Sequence, residues 1–173
     1  NDYNSYTREL DLENAITTTS YEVNGITYKR EVFVSKPDDV IVIRISADEP
    51  SALKFSLRMD SPHLLKPLAT DYNTQVLSVQ VSDGAMKGMA GLKVFTDGVI
   101  EPGYSNISVA NATSATIYLG AYTNFVNFKD ISENPKRFVN WYVKQYDKFD
   151  YENVKANHIA DYRNLYSRFS LTL

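Results

Sequence analysis

Residues 17–35 read "TTTSYEVNGITYKREVFVS", and this stretch decides the fold class. Asn24-Gly25 stands between two runs of alternating character. That pair favours the two-residue type I′ hairpin loop, in which both central residues take positive φ. A two-residue loop also sets the register of the flanking strands. Val23 then faces Ile26, Tyr21 faces Tyr28, Thr19 faces Arg30 and Thr17 faces Val32 on one side of the ladder. Glu22 with Thr27, Ser20 with Lys29 and Thr18 with Glu31 form the other side. The first side is apolar near the turn and the second is polar. The expectation is an antiparallel sheet with the Tyr21 and Tyr28 side turned inward and the opposite side wet.

The same grammar extends outward. "DVIVIRISAD" follows a Pro37-Asp38 turn and "ALKFSLRMD" follows Pro50-Ser51. "TQVLSVQVSD", "GLKVFTDGVIE", "YSNISVAN" and "SATIYLGAYTNF" complete the run. Eight to ten strands with short turns predict a two-sheet antiparallel sandwich over residues 1–128, not βαβ units. The character then changes. Asn134 can cap a helix and Pro135 suits its first position. Phe138, Trp141, Tyr142, Gln145 and Phe149 trace one face of a helix over about 135–147. Val154, His158, Tyr162, Leu165 and Phe169 trace a face of a second over about 151–166. These helices carry more aromatics than one contact face needs, so some of Trp141, Tyr142, Tyr146, Phe149, Tyr162 and Tyr166 are expected at the surface. "SRFSLTL" then alternates like a strand, and "NDYNSYTRELDL" opens without Met; both ends read as cuts in a longer chain.

Composition excludes several classes. The net charge is −3, with Lys and Arg scattered through the 173 residues, so no footprint for nucleic acid or an anionic membrane is present. No apolar run approaches the ~20 residues of a membrane-spanning helix. Zero Cys and two His leave no His/Cys metal cluster to assemble, and no cofactor is expected. "DGAMKGMAG" is not a dinucleotide fingerprint, and no nucleophile elbow, Walker-type loop or H-E-x-x-H occurs. The acids Asp38 and Asp39, or Asp60 and Asp71, read as solvated loop ends, and the sequons Asn106-Ile107-Ser108 and Asn111-Ala112-Thr113 as chance. No catalytic residue is assigned. His63, after Pro62 in a loop, is a site candidate, and His158 on its helix face is a packing or interface histidine. The 13 Tyr, 8 Phe and single Trp suit strands, domain interfaces or a sugar platform around Trp141 and Tyr142.

Longer strings carry a resemblance. Arg8, Leu10, Asp11, Leu12 and Ala15 form an R-x-L-D-L-x-x-A segment. It leads into a hairpin with Tyr21, Gly25, Tyr28, Arg30, Glu31, Phe33, Ser35, Pro37 and Asp38, and then a V-I-V-x-R strand. "HIADYRNLYSRFSLTL" matches an H-x-x-D-Y-x-x-L-x-x-R-x-x-L-x-L exit, with Tyr166 and Phe169 where Phe and Val are frequent. Together these resemble the amino-terminal domain of glycoside hydrolase family 95, the α-L-fucosidase family. The resemblance is strongest at both ends and weak over 64–112. It implies an inverting hydrolase of terminal α-linked L-fucose, or L-galactose in some relatives, that is periplasmic or extracellular. Its acid and base would lie in an (α/α)6 barrel of the same chain, reached through a helical linker over 129–173. No catalytic residue carries over to this sequence. The resemblance leaves His63, Trp141, Tyr142, His158 and Tyr162 as domain-interface or entrance residues. The competing expectation is a free-standing carbohydrate-binding module.

Overall fold

The computed structural model describes residues 4–170, with 64–70 described by backbone alone. Eleven strands come first: β1 Ser5–Asp11, β2 Ile16–Val23, β3 Ile26–Ser35, β4 Val40–Ala47, β5 Leu53–Leu57, β6 Leu64–Asp71, β7 Thr74–Gln80, β8 Lys87–Thr96, β9 Val99–Pro102, β10 Ile107–Ala112 and β11 Ser114–Thr123. Two helices follow, α1 Pro135–Gln145 and α2 Tyr151–Tyr166, joined by a 3₁₀ turn at Tyr146–Lys148. An eight-stranded sheet runs β1-β2-β3-β4-β11-β8-β7-β6, and a three-stranded sheet runs β5-β10-β9. Every pairing is antiparallel. The fold is mainly β, two sheets with two carboxy-terminal helices, as the sequence predicts.

The central hairpin has the expected register, from Thr17↔Val32 to Val23↔Ile26. Asn24 at φ 54° and Gly25 at φ 78° supply the two positive dihedrals a type I′ turn needs. Tyr21 and Tyr28 stack at 5.4 Å on the side facing the small sheet. That side joins Ile43, Ile45, Leu92, Val94 and Ile117 in a core with Leu53, Ile107 and Val109.

The second side of the hairpin is not wet, which corrects the sequence reading. Near the turn Lys29 is exposed, but toward the far end Phe33 is buried. Phe33 shares a second core with Ile16, Val40, Val42, Tyr118, Tyr146, Tyr151 and Val154. Glu31 on the same side accepts hydrogen bonds from the Tyr151 hydroxyl and the Lys155 ammonium, both at 2.9 Å. The large sheet is therefore covered on both faces, by the small sheet on one and by α1 and α2 on the other.

Cross-strand glycines seat α1. Gly91 and Gly120 are register partners in β8 and β11. A Cβ at Gly91 would stand 2.6 Å from both Val139 Cγ1 and Val143 Cγ2, and one at Gly120 would stand 2.5 Å from Tyr146 Oη. Only the missing side chains let the helix lie this close. The face packed on the sheet is thus Val139 and Val143 of α1, continued by Tyr146 of the 3₁₀ turn; of the Phe138, Trp141, Tyr142, Gln145 and Phe149 face read in the sequence, Tyr142 and Phe149 also pack against this core. Asn134 caps the helix through Lys136 N–H and Pro135 opens it, as expected. On α2 the predicted stripe is buried at Val154 and His158, but Leu165 and Phe169 are exposed. The strand predicted over 169–173 has no strand geometry at 169–170, and its remainder lies outside the described residues.

The small sheet packs chiefly on β4, β11 and β8, with Ile26 and Tyr28 of β3 against the same core. Beside the free edge of β5 the inner face of β2, β3 and β4 floors an open groove of about 640 Å³ that includes Tyr21, Tyr28 and Ile45.

Candidate functional site

The turn between β3 and β4 and the outward side of α1 meet at a recess of about 270 Å³, lined by Pro37, Asp38, Asp39, Trp141, Tyr142, Gln145 and Phe149. Pro37-Asp38-Asp39 reverses the chain, with Asp39 in the left-handed region at φ 53°. Polar residues such as Asp tolerate that conformation better than branched ones. Asp38 is tied down by Ser35 Oγ at 2.6 Å and Asn157 Nδ2 at 3.3 Å. Asp39 Oδ2 accepts the Tyr122 hydroxyl of β11 at 2.5 Å. The Tyr122 ring stacks on both Phe138 at 5.3 Å and Tyr142 at 4.9 Å. This aromatic stack fixes the carboxylate against the helix.

The electrostatics follow from these bonds. The Tyr122 hydrogen bond holds the Asp39 carboxyl below its ordinary range; burial opposes this but loses, and the Tyr142 hydroxyl adds to the pull. Burial, and then the Asp39 carboxylate, push the Tyr122 phenol far up. A carboxylate held ionised and a phenol held protonated can accept and stabilise hydroxyl groups. Neither suits a glycosidase general acid, which needs a raised carboxyl pKa. Among the described residues every carboxyl with a displaced pKa is displaced downward: Asp11, Glu31, Asp39, Asp48, Asp97 and Asp130. No group of three or more His, Asp or Glu arranged to hold a metal is found among them.

The residues singled out by sequence fall in different places. Trp141 and Tyr142 share the recess, their rings perpendicular at 4.7 Å. His63 is exposed in the loop before β6, its N–H donating to Ser61 Oγ at 3.2 Å. His158 is buried, stacks on Phe33 at 4.9 Å, and its Nε2 lies 2.8 Å from the Asn14 carbonyl oxygen. A carbonyl can only accept, so Nε2 carries the proton and this histidine closes a packing contact. Tyr162 continues that column at 6.2 Å from His158 and stacks on Tyr166 at 5.6 Å. Of the six helix aromatics, Trp141 and Tyr166 are exposed, Tyr142, Phe149 and Tyr162 half-buried, and Tyr146 buried. Further apolar surface lies at Phe125, Val126, Phe128 and Ile131 in the segment before α1. Sequence reasoning missed Tyr122 as the partner of Asp39, because 83 positions separate them and only the sheet order joins them.

Two antiparallel sheets with a helical layer define a β-sandwich domain, with an aromatic and carboxylate recess where the β3–β4 turn meets α1. The chain belongs to the family described as "Glycosyl hydrolase family 65, N-terminal domain", whose model matches residues 1–128. It is 29% identical over 199 residues to "Alpha-L-fucosidase 2" of Arabidopsis thaliana, covering 98% of this chain and 24% of that protein. It is 26% identical over 193 residues to "Probable alpha-fucosidase A" of Aspergillus niger, covering 99% of this chain and 24% of that protein. The chain thus spans about a quarter of the length of the curated relatives it matches. The solved "Putative kojibiose phosphorylase from human microbiome" shares the fold, with a TM-score of 0.64 at 15% identity, covering 93% of this chain and 23% of that one.

Proposed function

We propose that this chain is the non-catalytic amino-terminal domain of an inverting α-L-fucosidase of glycoside hydrolase family 95. The observation that carries the reading is coverage: nearly the whole chain aligns to fucosidase-named proteins yet accounts for only a quarter of them. The matched domain model bears the family 65 name, and the fucosidase-named relatives together with the Arg8-to-Asp38 and His158-to-Phe169 motifs favour family 95 within that group. In this reading residues 129–173 lead from the sandwich to an (α/α)6 barrel that holds the acid and base. The surface at Phe125, Phe128, Leu165 and Phe169 packs on that barrel, since bare apolar patches of this kind mark interfaces. Periplasmic or extracellular action on oligosaccharides follows from the same reading.

The test is an aryl α-L-fucoside assay on residues 1–173 and on the polypeptide extended to the length of the relatives. Turnover is expected from the longer protein and none from residues 1–173. Activity that survives repurification and tracks the 173-residue peak would overturn the non-catalytic role. A downstream sequence without barrel helices would overturn the partner.

A further inference from the structure

We infer that the recess between the β3–β4 turn and α1 is a subsite for a neutral sugar, bound by this domain itself. Trp141 is the starting point. It is 55% exposed, although it sits one position from Tyr142, which stacks on Tyr122, and two from Val139, which is buried. A tryptophan left that open contributes little to the core, where aromatics normally serve. Its indole N–H has no hydrogen-bond partner among the described residues. The same holds for Gln145 Nε2, whose Oε1 accepts from Lys148 at 3.0 Å, while the Asp39 carboxylate already accepts from the Tyr122 and Tyr142 hydroxyls and keeps further lone pairs.

Two unengaged donors and a carboxylate beside an aromatic ring are what a pyranose requires. Its C–H face packs on the ring, and its hydroxyls donate to a carboxylate and accept from an amide and an indole. The volume of about 270 Å³ lies just below the ~300–1,000 Å³ typical of ligand sites, so it suits one sugar unit rather than a long chain. Charge narrows the class further. Two carboxylates, Asp38 and Asp39, line the recess, which disfavours uronic acids, sialic acids and phosphates. Asp39 is already positioned by Tyr122 and Asp38 by Ser35 and Asn157, so binding does not have to order them. The inference goes beyond the fucosidase reading and does not rest on it, because it needs binding only.

The chain contains a single Trp, so tryptophan emission reports this recess alone. Titrating residues 1–173 with L-fucose, galactose or lactose should give a saturable change in emission in the millimolar range, with saturation-transfer NMR showing contact to the sugar ring protons. Gln145→Ala should weaken binding about fivefold, the loss of one neutral hydrogen bond. Trp141→Ala should abolish saturation transfer while leaving the unfolding midpoint within about 1 °C, as befits an exposed side chain. Glucuronate should bind more weakly than the neutral sugars. No emission change and no saturation transfer at 50 mM of any of the three neutral sugars would overturn the inference. So would binding that survives Trp141→Ala, which would place the sugar elsewhere, or glucuronate binding as tightly as galactose. Failure here leaves the fucoside assay above unaffected, and the reverse also holds.

Discussion

Substituting Gly120 and Tyr146 together tests how α1 is seated on the large sheet. Tyr146 is fully buried, and its hydroxyl has no hydrogen-bond partner among the described residues. Burial accordingly pushes this phenol's pKa up. The hydroxyl points at the bare backbone of Gly120, where a Cβ would come within 2.5 Å of Oη but 3.8 Å from Cζ. Gly120→Ala alone overpacks this contact and should cost about 1–3 kcal/mol. Tyr146→Phe alone removes a desolvated, unbonded hydroxyl whose burial costs ~1–3 kcal/mol, offset in part by the small void it leaves. It should be neutral or stabilising by about 1 kcal/mol on that balance. In the double variant the alanine methyl sits at an ordinary van der Waals distance from the ring. It should also restrict the unfolded chain by ~0.4–1 kcal/mol, because Gly120 has no positive φ to lose. The double variant should therefore be at least as stable as the unsubstituted chain, with a coupling of about 1.5 kcal/mol or more. Urea unfolding followed by circular dichroism measures all three, and a thermal shift of roughly 2–4 °C per kcal/mol gives an independent reading. Additivity within about 0.5 kcal/mol would refute the packing argument. A Tyr146→Phe variant destabilised by more than about 1 kcal/mol would show that the hydroxyl is bonded after all.

Three further outcomes follow from other contacts. Gln75 in β7 is fully buried with neither amide atom bonded among the described residues, so Gln75→Met should raise the unfolding midpoint by about 1–3 kcal/mol equivalent; a lower midpoint would mean the amide has partners. For Glu31, burial alone would raise the carboxyl, but the Lys155 and Tyr151 hydrogen bonds outweigh it and the net pKa is lowered. Burial likewise works against the Lys155 ammonium and is outweighed by Glu31, so that pKa is raised. The Glu31 contribution is thus complete above its ordinary value of 4.5 and lost as pH falls through the lowered one. The Lys155 contribution is complete below 10.5 and lost as pH rises through the raised one. Glu31→Gln should cost about 2 kcal/mol at pH 7, with the gap to the unsubstituted chain closing in acid, measured as melting temperature against pH. Lys54 is exposed on β5, an edge of the small sheet, and charge on an edge discourages strand addition; Lys54→Val should increase light scattering on concentration, and unchanged scattering would argue that the edge is already closed.

The parts of this fold that were legible in the sequence are those in which short-range chemistry sets geometry. Asn24-Gly25 imposed the turn and with it seven register pairs, and Asn134-Pro135 imposed the start of α1. Strand β6 was not read, because Pro67 breaks the expected pattern. The structure tolerates it because β6 is an edge strand with a register shift between Lys66 and Ala69. The run "GLKVFTDGVIE" divides at Asp97-Gly98 into the end of β8 and β9, which belong to different sheets, a split its local pattern does not mark. The half-seen site has the same cause. Asp39 looked like one solvated turn acid among many, and nothing local marks its pairing with Tyr122 across the sheet.

The misread side of the hairpin shows the physics most directly. Thr18, Ser20, Glu22, Lys29 and Glu31 alternate with a side that is apolar near the turn at Tyr21, Val23, Ile26 and Tyr28, and such alternation normally means one wet face. Here the helix that covers that face brings its own polar groups, the Tyr151 hydroxyl and the Lys155 ammonium, to meet Glu31, with the Arg44 guanidinium 4.6 Å over the Tyr151 ring. A strand face can therefore be polar in sequence and covered in structure, provided the covering element supplies partners for each polar group. Tyr151 and Lys155, four apart on α2, carry that information. It lies 120 and 124 residues from Glu31, beyond the reach of any local pattern.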